Sequence, residues 1–506
     1  MFSKVFSALV NGIDADIVEV ETDISSVGLP SFSMVGLAET AVRESRDRVK
    51  AAMKNIGINI FSHPITINLA PADIKKEGTH FDLPIAIGLV CSGGMLKDVP
   101  KDCLFAGELS LDGGLRGVTG ILPIAAGAKK AGFSKLIVPS DNADEAAVID
   151  GIDVFGFDDF SSVLKFITDG CAGAAHVLDR EKIFNNNSIY GVDFSDVKGQ
   201  FAARRCAEIA AAGMHNLFML GSPGSGKTMI ARRIPTIMPA MTLEEAIETT
   251  KIHSVAGLIR SGRDLAGSRP FLAPHHTSSN IALIGGTSKA TPGQVSMASN
   301  GVLFLDEFLE FNRSVLETLR QPLEDRHVTI ARAGRTVTYP ANFMLVAAAN
   351  PCPCGYLGDK QRECKCTASQ IQKYRGRLSG PLMDRIDLHV EVASVDISEL
   401  SAMNDGESSD AVRSRVVKAH EIQKKRFHSS KTGYNSRMTE KEVKKFCVTD
   451  AASLKILETA ARKYSMSARA YTKILKTSRT IADLDSSDEI RSKHILEALQ
   501  YRLIQE

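Results

Sequence analysis

Residues 216–235 read NLFMLGSPGSGKTMIARRIP, and the rest of the fold can be laid out from them. Asn216–Leu220 is a short apolar run of the kind that forms a buried strand. It feeds into Gly221, Ser222, Pro223, Gly224, Ser225, Gly226, Lys227 and Thr228, a full G-x-x-x-x-G-K-T. Apolar-rich Met229–Ile234 follows as a helix, which Pro235 is expected to stop. Strand, glycine loop and helix are the context of a phosphate-binding loop. The glycines let backbone N–H groups close around a phosphate at a helix N-terminus. Lys227 then reaches the β- and γ-phosphates of a nucleotide, and the Thr228 hydroxyl is placed to ligate Mg2+.

Two further strands complete that reading. Val302–Leu305 ends in Asp306-Glu307. Beside a phosphate-binding loop, a strand-end aspartate holds Mg2+ and the adjacent glutamate polarises the attacking water. An exposed acidic pair after a strand is the plainer alternative. Phe343–Ala349 is a buried-type strand with Asn350 at its tip. There Asn350 either touches the γ-phosphate and the water or caps the turn before Pro351.

The chain has 506 residues, which at about 150 per domain implies two to four domains. Hydrophobic residues make up 44% and charged residues 24%, values that exclude a mainly disordered chain. No apolar run approaches the ~18 residues of a membrane span, and the N-terminus reaches Asp14 too early for a signal peptide. A cytoplasmic protein without membrane contact is the expectation. The net charge is 61 − 59 = +2, which excludes general basicity but not a local nucleic-acid site.

Before the loop, the first ~170 residues alternate short strands with helical stretches. Ile65–Leu69 and Leu136–Val138 read as strands, Leu83–Cys91 as a helix started by Asp82 and Pro84, and Leu109–Arg116 as a hairpin around Asp112-Gly113. Linkers are expected over residues 171–190 and near Ser401–Asp410, and everything beyond is helical. The expected fold class is multi-domain α/β: a first domain over 1–170, a P-loop α/β core over 191–398, and a helical domain over 399–506.

The motifs together resemble AAA+ ATPases, and among them the magnesium-chelatase-related ComM/YifB family. The strings that carry the resemblance are DVKGQ (Asp196–Gln200), GSPGSGKT, RPFLAPHHTSS (Arg269–Ser279), GVLFLDE, LRQPLED (Leu319–Asp325), NPCPCG (Asn350–Gly355) and GPLMDRIDLHVEV. They occur in order along nearly the whole chain. The resemblance implies that Asp196–Gln200 lies near the adenine, that Gly221–Thr228 is Walker A, and that Asp306 and Glu307 are Walker B. It implies that Asn350 is sensor 1, Arg385 an arginine finger acting in the neighbouring subunit, and Arg469 sensor 2. Arg385 also lies between Asp384 and Asp387, so a structural ion pair competes with the finger. Arg469 follows Ser467, a plausible N-cap, and an arginine in a first helical turn opposes the macrodipole unless an anion sits nearby.

Two inserts remain. His327–Tyr339 alternates around Ala333-Gly334 as a hairpin. It resembles the hairpin that chelatase-like motors share with minichromosome-maintenance helicases. Arg332 and Arg335 near its tip would hold DNA backbone phosphates in a ring pore, or would be solvated turn residues. Ile281–Gly286 is a second candidate pore loop or an ordinary buried turn. Cys352, Cys354, Cys364 and Cys366 crowd onto one glycine-containing loop and suit a structural, tetrahedral Zn2+; free thiols or a redox pair are the alternatives. Arg413–Lys431 has seven basic residues and one acid at helical spacing, read as a solvated face.

The segment Lys76–Asp82, the hairpin after it and Leu122–Ile124 resemble the Lon proteolytic domain. His80 falls at the nucleophile position and Lys129 out of register, so no Ser–Lys dyad is expected. The resemblance implies an ATPase with ATP, Mg2+ and Zn2+ as cofactors. It implies a homo-oligomeric ring, as a hexamer, that drives branched or single-stranded DNA through helicase or branch-migration activity in homologous recombination and natural transformation, with a recombinase as partner. A protein-remodelling chaperone of the magnesium-chelatase type is the competing function on the same core.

Overall fold

The computed structural model describes residues 1–178, 190–259, 266–287, 290–332, 335–359, 362–393, 406–428 and 432–502. The expected linkers therefore lie partly outside the described residues, and a helix already begins at Ser409, within the second of them. The Ala333-Gly334 hairpin tip and the end of the Arg413–Lys431 stretch lie outside the described residues as well. Two compact units form, one from residues 1–187 and 243–267, the other from 188–242 and 268–506.

The first unit is built on a mixed seven-stranded sheet. Strands β1 (Phe2–Asn11) and β2 (Asp14–Ile24) pair antiparallel from Phe2↔Asp23 to Asn11↔Asp14, and Gly12 takes φ 65° in the turn between them. The remaining members are β3 (Phe32–Val35), β4 (Ile65–Ala70) and β5 (Cys103–Phe105); after the small hairpin of β6 (Glu108–Leu109) and β7 (Leu115–Arg116) come β8 (Lys135–Pro139) and β9 (Asp153–Phe157). The order is β3-β4-β2-β1-β5-β8-β9. The helix Asp82–Ser92 is buried along its whole length, which explains its continuous apolar sequence. Asp82 at its start is ion-paired with Arg48 at 2.7 Å.

A helix from beyond the phosphate-binding loop, Leu243–Val255, belongs to this unit. It packs on the helix Ile121–Lys130, and the Ser254 hydroxyl donates to the Glu145 carboxylate at 2.5 Å. His80 is buried; its Nε2 lies 2.9 Å from the Ala8 carbonyl and its ring rests on Phe81 at 4.2 Å. Lys129 is exposed.

The second unit holds an all-parallel five-stranded sheet. Its strands are β10 (Leu217–Leu220), β11 (Phe271–Leu272), β12 (Val302–Leu305), β15 (Met344–Ala349) and β16 (Leu388–Glu391), with β13 (His327–Arg332) and β14 (Arg335–Pro340) forming a separate hairpin. The order β11-β12-β15-β10-β16 puts the phosphate-loop strand between β15 and β16. Ligand sites of such sheets lie at the carboxyl ends of the strands. Here Gly221, Asp306 and Asn350 all follow directly on those ends.

The helix after the loop runs from Lys227 to Ile237 and so passes through Pro235, where the sequence suggested a stop. Pro235 sits near the helix end, and Ile234 and Ile237 on either side of it are fully buried. That burial outweighs one missing hydrogen bond. Residues 406–502 are helical as expected, and their helices share the core of this unit. The basic stretch beginning at Arg413 is not simply a solvated face. Arg413 donates to the Thr236 carbonyl at 2.7 Å, Arg415 pairs with Glu208 at 2.6 Å, and Arg426 pairs with the fully buried Asp483 at 2.6 Å. No helix among the described residues is long and apolar enough to cross a membrane.

Candidate active site

Three glycines fix the loop for different reasons. A Cβ on Gly221 would stand 2.3 Å from the Val392 carbonyl oxygen, so only glycine lets the chain after β10 approach that residue. Gly224 and Gly226 take φ of 79° and 92°, the left-handed region where glycine carries no steric penalty. The helix then starts at Lys227 with its first N–H groups turned toward the loop.

Inside the loop, the Lys227 ammonium donates to the carbonyls of Gly221 at 2.6 Å and Ser222 at 2.9 Å, and to Asn350 Oδ1 at 3.3 Å. Burial pushes its pKa down. An ammonium held on neutral carbonyls at a buried position is one an anion would stabilise. Ser225 Oγ is buried with no hydrogen-bond partner among the described residues, a second group that suits a phosphate oxygen. The Thr228 hydroxyl donates to Asp306 Oδ2 at 2.6 Å, bringing together the two side chains expected to hold Mg2+. Gln200, from the DVKGQ string, donates to the Ser225 carbonyl at 3.1 Å, while Asp196 pairs with Arg233 of the loop helix at 2.5 Å. These residues fit a nucleotide triphosphate with its divalent cation.

Glu307 takes φ 50°, a left-handed conformation that costs a residue with a Cβ about 1 kcal/mol or more. Its backbone N–H donates to Asp306 Oδ1 at 2.9 Å. Its carboxylate lies 3.0 Å from Nδ1 of His276, a residue to which sequence reasoning gave no role. The only sequence signal for it was the RPFLAPHHTSS string.

The four cysteines do converge. Their sulfurs all lie within 4.8 Å of one another, with Cys352–Cys354 at 3.4 Å and Cys352–Cys364 and Cys354–Cys364 each at 3.6 Å. A tetrahedral zinc with Zn–S bonds of about 2.3 Å spaces its sulfurs by about 3.8 Å. Hydrogen bonding from the backbone of Tyr356 and Lys365 brings the Cys354 thiol down to about 6, while Cys364 and Cys366 are raised by desolvation and the neighbouring thiols despite their own backbone hydrogen bonds. The donor set fits zinc. This loop also abuts the phosphate loop: Gly355, at φ 85°, would place a Cβ 2.6 Å from Pro223.

Arg385 and Arg469 come together elsewhere. Arg385 pairs with Glu324 at 2.5 Å, and Arg469 lies 3.8 Å from the same carboxylate. The sequence neighbours of Arg385 are engaged otherwise, Asp384 with Arg502 at 3.8 Å and Asp387 with Lys473 at 2.8 Å. Burial opposes ionisation of Asp387, yet Lys473 and His215 hold its carboxyl well below the usual carboxylate range. As expected, Ser467 caps the Arg469 helix by accepting from Ala470 N. Both arginines line a cavity of about 350 Å3 together with Arg326, Arg437, Lys473 and Lys476, and no residue of the phosphate loop lines it. Burial and the adjacent Arg437 push Arg326 down to about 9, and Glu324, Asp384, Asp387 and Glu440 line the same cavity.

The hairpin expected over His327–Tyr339 is present, β13 and β14 pairing from His327↔Pro340 to Arg332↔Arg335. The side chains of Arg332 and Arg335 lie outside the described residues. Ile281–Gly286 is not a plain turn. Asn280–Ile284 is one turn of helix capped by Ser279, and Ile281 is half exposed.

Comparison with known proteins covers almost the entire chain. Family descriptions match in chain order: "Subunit ChlI of Mg-chelatase" over residues 20–142, "Magnesium chelatase, subunit ChlI" over 193–400 and "Magnesium chelatase, subunit ChlI C-terminal" over 406–502. Competence protein ComM of Haemophilus influenzae is 42% identical over 98% of this chain and 97% of its own length. YifB of Escherichia coli is 42% identical over 97% of this chain and 95% of its own. A maternal DNA replication licensing factor, mcm6, of Xenopus tropicalis is 23% identical over 56% of this chain and 32% of its own. With that identity along almost its entire length, the chain belongs to the ComM/YifB family of magnesium-chelatase-like AAA+ proteins.

Proposed function

We propose that this protein is a ring-forming ATPase, a hexamer, that uses hydrolysis to drive branched or single-stranded DNA. The observation that carries the ATPase is the convergence of Lys227, the Thr228–Asp306 pair and Asn350 at the strand ends of one parallel sheet. Bound ATP and Mg2+ would supply the transferable phosphoryl group and neutralise part of its charge. Lys227 releases its loop carbonyls to hold phosphate oxygens, and Thr228 and Asp306 turn their oxygens to the cation. Asn350 orients the attacking water, and Glu307 draws its proton away.

Arg385 and Arg469 stand in a cavity that no residue of the phosphate loop lines, so in this reading they complete the site of a neighbouring subunit rather than their own. That separation supports the ring, since the site lacks both arginines until a second copy supplies them. DNA as the client is supported by the names of two relatives, a competence protein and a replication licensing factor, and by the hairpin β13–β14. That client would place the protein in homologous recombination during natural transformation, beside a recombinase.

The deciding measurement is ATP turnover with and without forked DNA. Stimulation is expected, and Arg332→Ala with Arg335→Ala should remove it while basal turnover survives. The double change should also flatten the salt dependence of DNA affinity by about 0.7–0.9 log unit for each phosphate no longer neutralised. Parallel salt lines, with stimulation by a protein client instead, would make the protein a remodelling chaperone.

A further inference from the structure

We infer that the buried ion pair Asp387–Lys473 is a positioning device that aims Arg385 and Arg469 together at the neighbouring subunit's nucleotide. The inference rests on the proposed action of both arginines across a subunit boundary. Arg469 stands at the start of the helix Ala468–Leu484, and its side chain is the first of a stripe that continues through Lys473, Lys476, Thr480 and Asp483. Alternating steps of four and three residues keep all five on one helix face. Each of them meets a polar partner. Arg469 lies 3.8 Å from Glu324, Lys473 lies 2.8 Å from Asp387, and Lys476 donates to the Ser436 carbonyl at 3.0 Å. The Thr480 hydroxyl is 2.8 Å from His215 Nε2, and Asp483 pairs with Arg426 at 2.6 Å.

A stripe of this kind holds the helix in one register. An apolar seam tolerates a small slide or rotation, because apolar burial has no direction. Here a slide would part Lys473 from Asp387, whose side chains are only 16% and 12% exposed. An uncompensated buried charge is strongly destabilising, so the pair admits one position of the helix. Ile474 and Ile481, in the shared core, supply the adhesion of this helix, and the polar stripe supplies its position.

The Asp387–Lys473 contact joins the supports of both arginines. Lys473 stands one turn beyond Arg469, and Asp387 two residues beyond Arg385. The same Asp387 carboxylate accepts from Asn216 N at 3.2 Å, and the Asn216 side chain donates to the Arg385 carbonyl at 2.9 Å. His215, just before it, lies 3.4 Å from Asp387 and also reaches Thr480. The backbone under Arg385 is therefore tied to the start of β10 on one side and to the Arg469 helix on the other. The two guanidinium groups then meet on one carboxylate, that of Glu324, as a pair of fixed spacing. A neighbour's phosphate taking the place of that carboxylate meets both at once.

The test is complementation between subunits. Lys473→Met keeps most of the stem's volume and removes the charge. Turnover should fall about 10²-fold, the effect of a misplacement of about 1 Å, while the affinity for a fluorescent ATP analogue stays as in wild type. Mixed with Glu307→Gln subunits, the variant should regain activity, because its own loop then faces well-aimed arginines. Mixed with Arg385→Ala subunits it should regain nothing, because no interface has them. Lys473→Met leaves Asp387 buried with its charge. The double variant Asp387→Asn with Lys473→Met leaves neither charge alone, should show the same pattern, and decides the matter where the single variant does not fold. Wild-type turnover in the double variant would overturn the inference. So would a loss that Glu307→Gln subunits do not relieve, which marks a fault in the variant's own site or fold. Arg385→Ala mixed with Glu307→Gln is the reference. If those two fail to relieve each other in rings that form, the action of Arg385 in trans is wrong and the inference falls with it. If they succeed and Lys473→Met does not follow Arg385→Ala, only the positioning is wrong.

Discussion

In the proposed mechanism Lys227 holds phosphate and Glu307 draws the proton from water, so their substitutions should separate. Lys227→Ala removes the charge that meets the phosphates and should abolish nucleotide binding in a fluorescent-analogue titration. Glu307→Gln should bind the analogue as wild type does and hydrolyse ATP about 10²–10⁴-fold more slowly. A further residue-scale consequence concerns pH. Burial pushes His80 down to about 4, from an ordinary value near 6.5. Between those values the unfolded chain binds a proton that the folded chain refuses. Stability from this residue is therefore intact above the unfolded value and falls as pH drops below it, by about 1.4 kcal/mol per unit until about 4. His80→Gln keeps a donor for the Ala8 carbonyl without taking the proton. Unfolding midpoints measured from about pH 7 to 4.5 should fall less steeply for that variant than for wild type.

Among the elements, the cysteine loop depends most on tertiary packing. Its sequence showed four cysteines in tight C-x-C pairs; the structure gathers their sulfurs and presses Gly355 against Pro223. Protein purified without oxygen should carry one zinc per chain by metal analysis. Cys364→Ser should lose it and unfold at lower temperature, because part of the metal-binding free energy is folding free energy. Gly355→Ala should weaken nucleotide binding without removing zinc, since a Cβ there displaces the phosphate loop and leaves the sulfurs in place. Three of the five parallel strands, β10, β12 and β15, were plain in the sequence because each is a short buried apolar run, whereas the two-residue β11 and the strand β16, with its His389 and Glu391, were not read from it. Nor was the helix Asn280–Ile284, because one turn of helix carries too few residues to show a period.

For the whole molecule, the shared position of Arg385 and Arg469 on Glu324 matters most. Each subunit would carry its loop for its own ATP and its arginines for a neighbour's. An arginine finger is worth about 10³–10⁵ in rate. Arg385→Ala and Glu307→Gln subunits, each inactive alone, should regain activity when mixed, because one kind of interface then has every group. Mixed rings that form and stay inactive would return Arg385 to a structural role beside Glu324. The separation of the chain into two units has its own lesson. Residues 243–255 follow the phosphate loop in sequence yet pack with the first unit, a placement with no local signal.

The sequence alone determined the phosphate loop, the strands that feed Asp306 and Asn350, and the cap at Ser467. All of these rest on short-range physics: left-handed φ at glycine, the alternation or continuity of apolar residues, and a side-chain oxygen near free N–H groups. Tertiary structure alone decided the partners. Arg385 chose Glu324 over the acids on either side of it, Asp387 went to Lys473, and His276 reached Glu307 from a distant part of the chain. Charge attraction has no sequence range of its own, so which carboxylate meets which cation is fixed by the packing that brings strands and helices together.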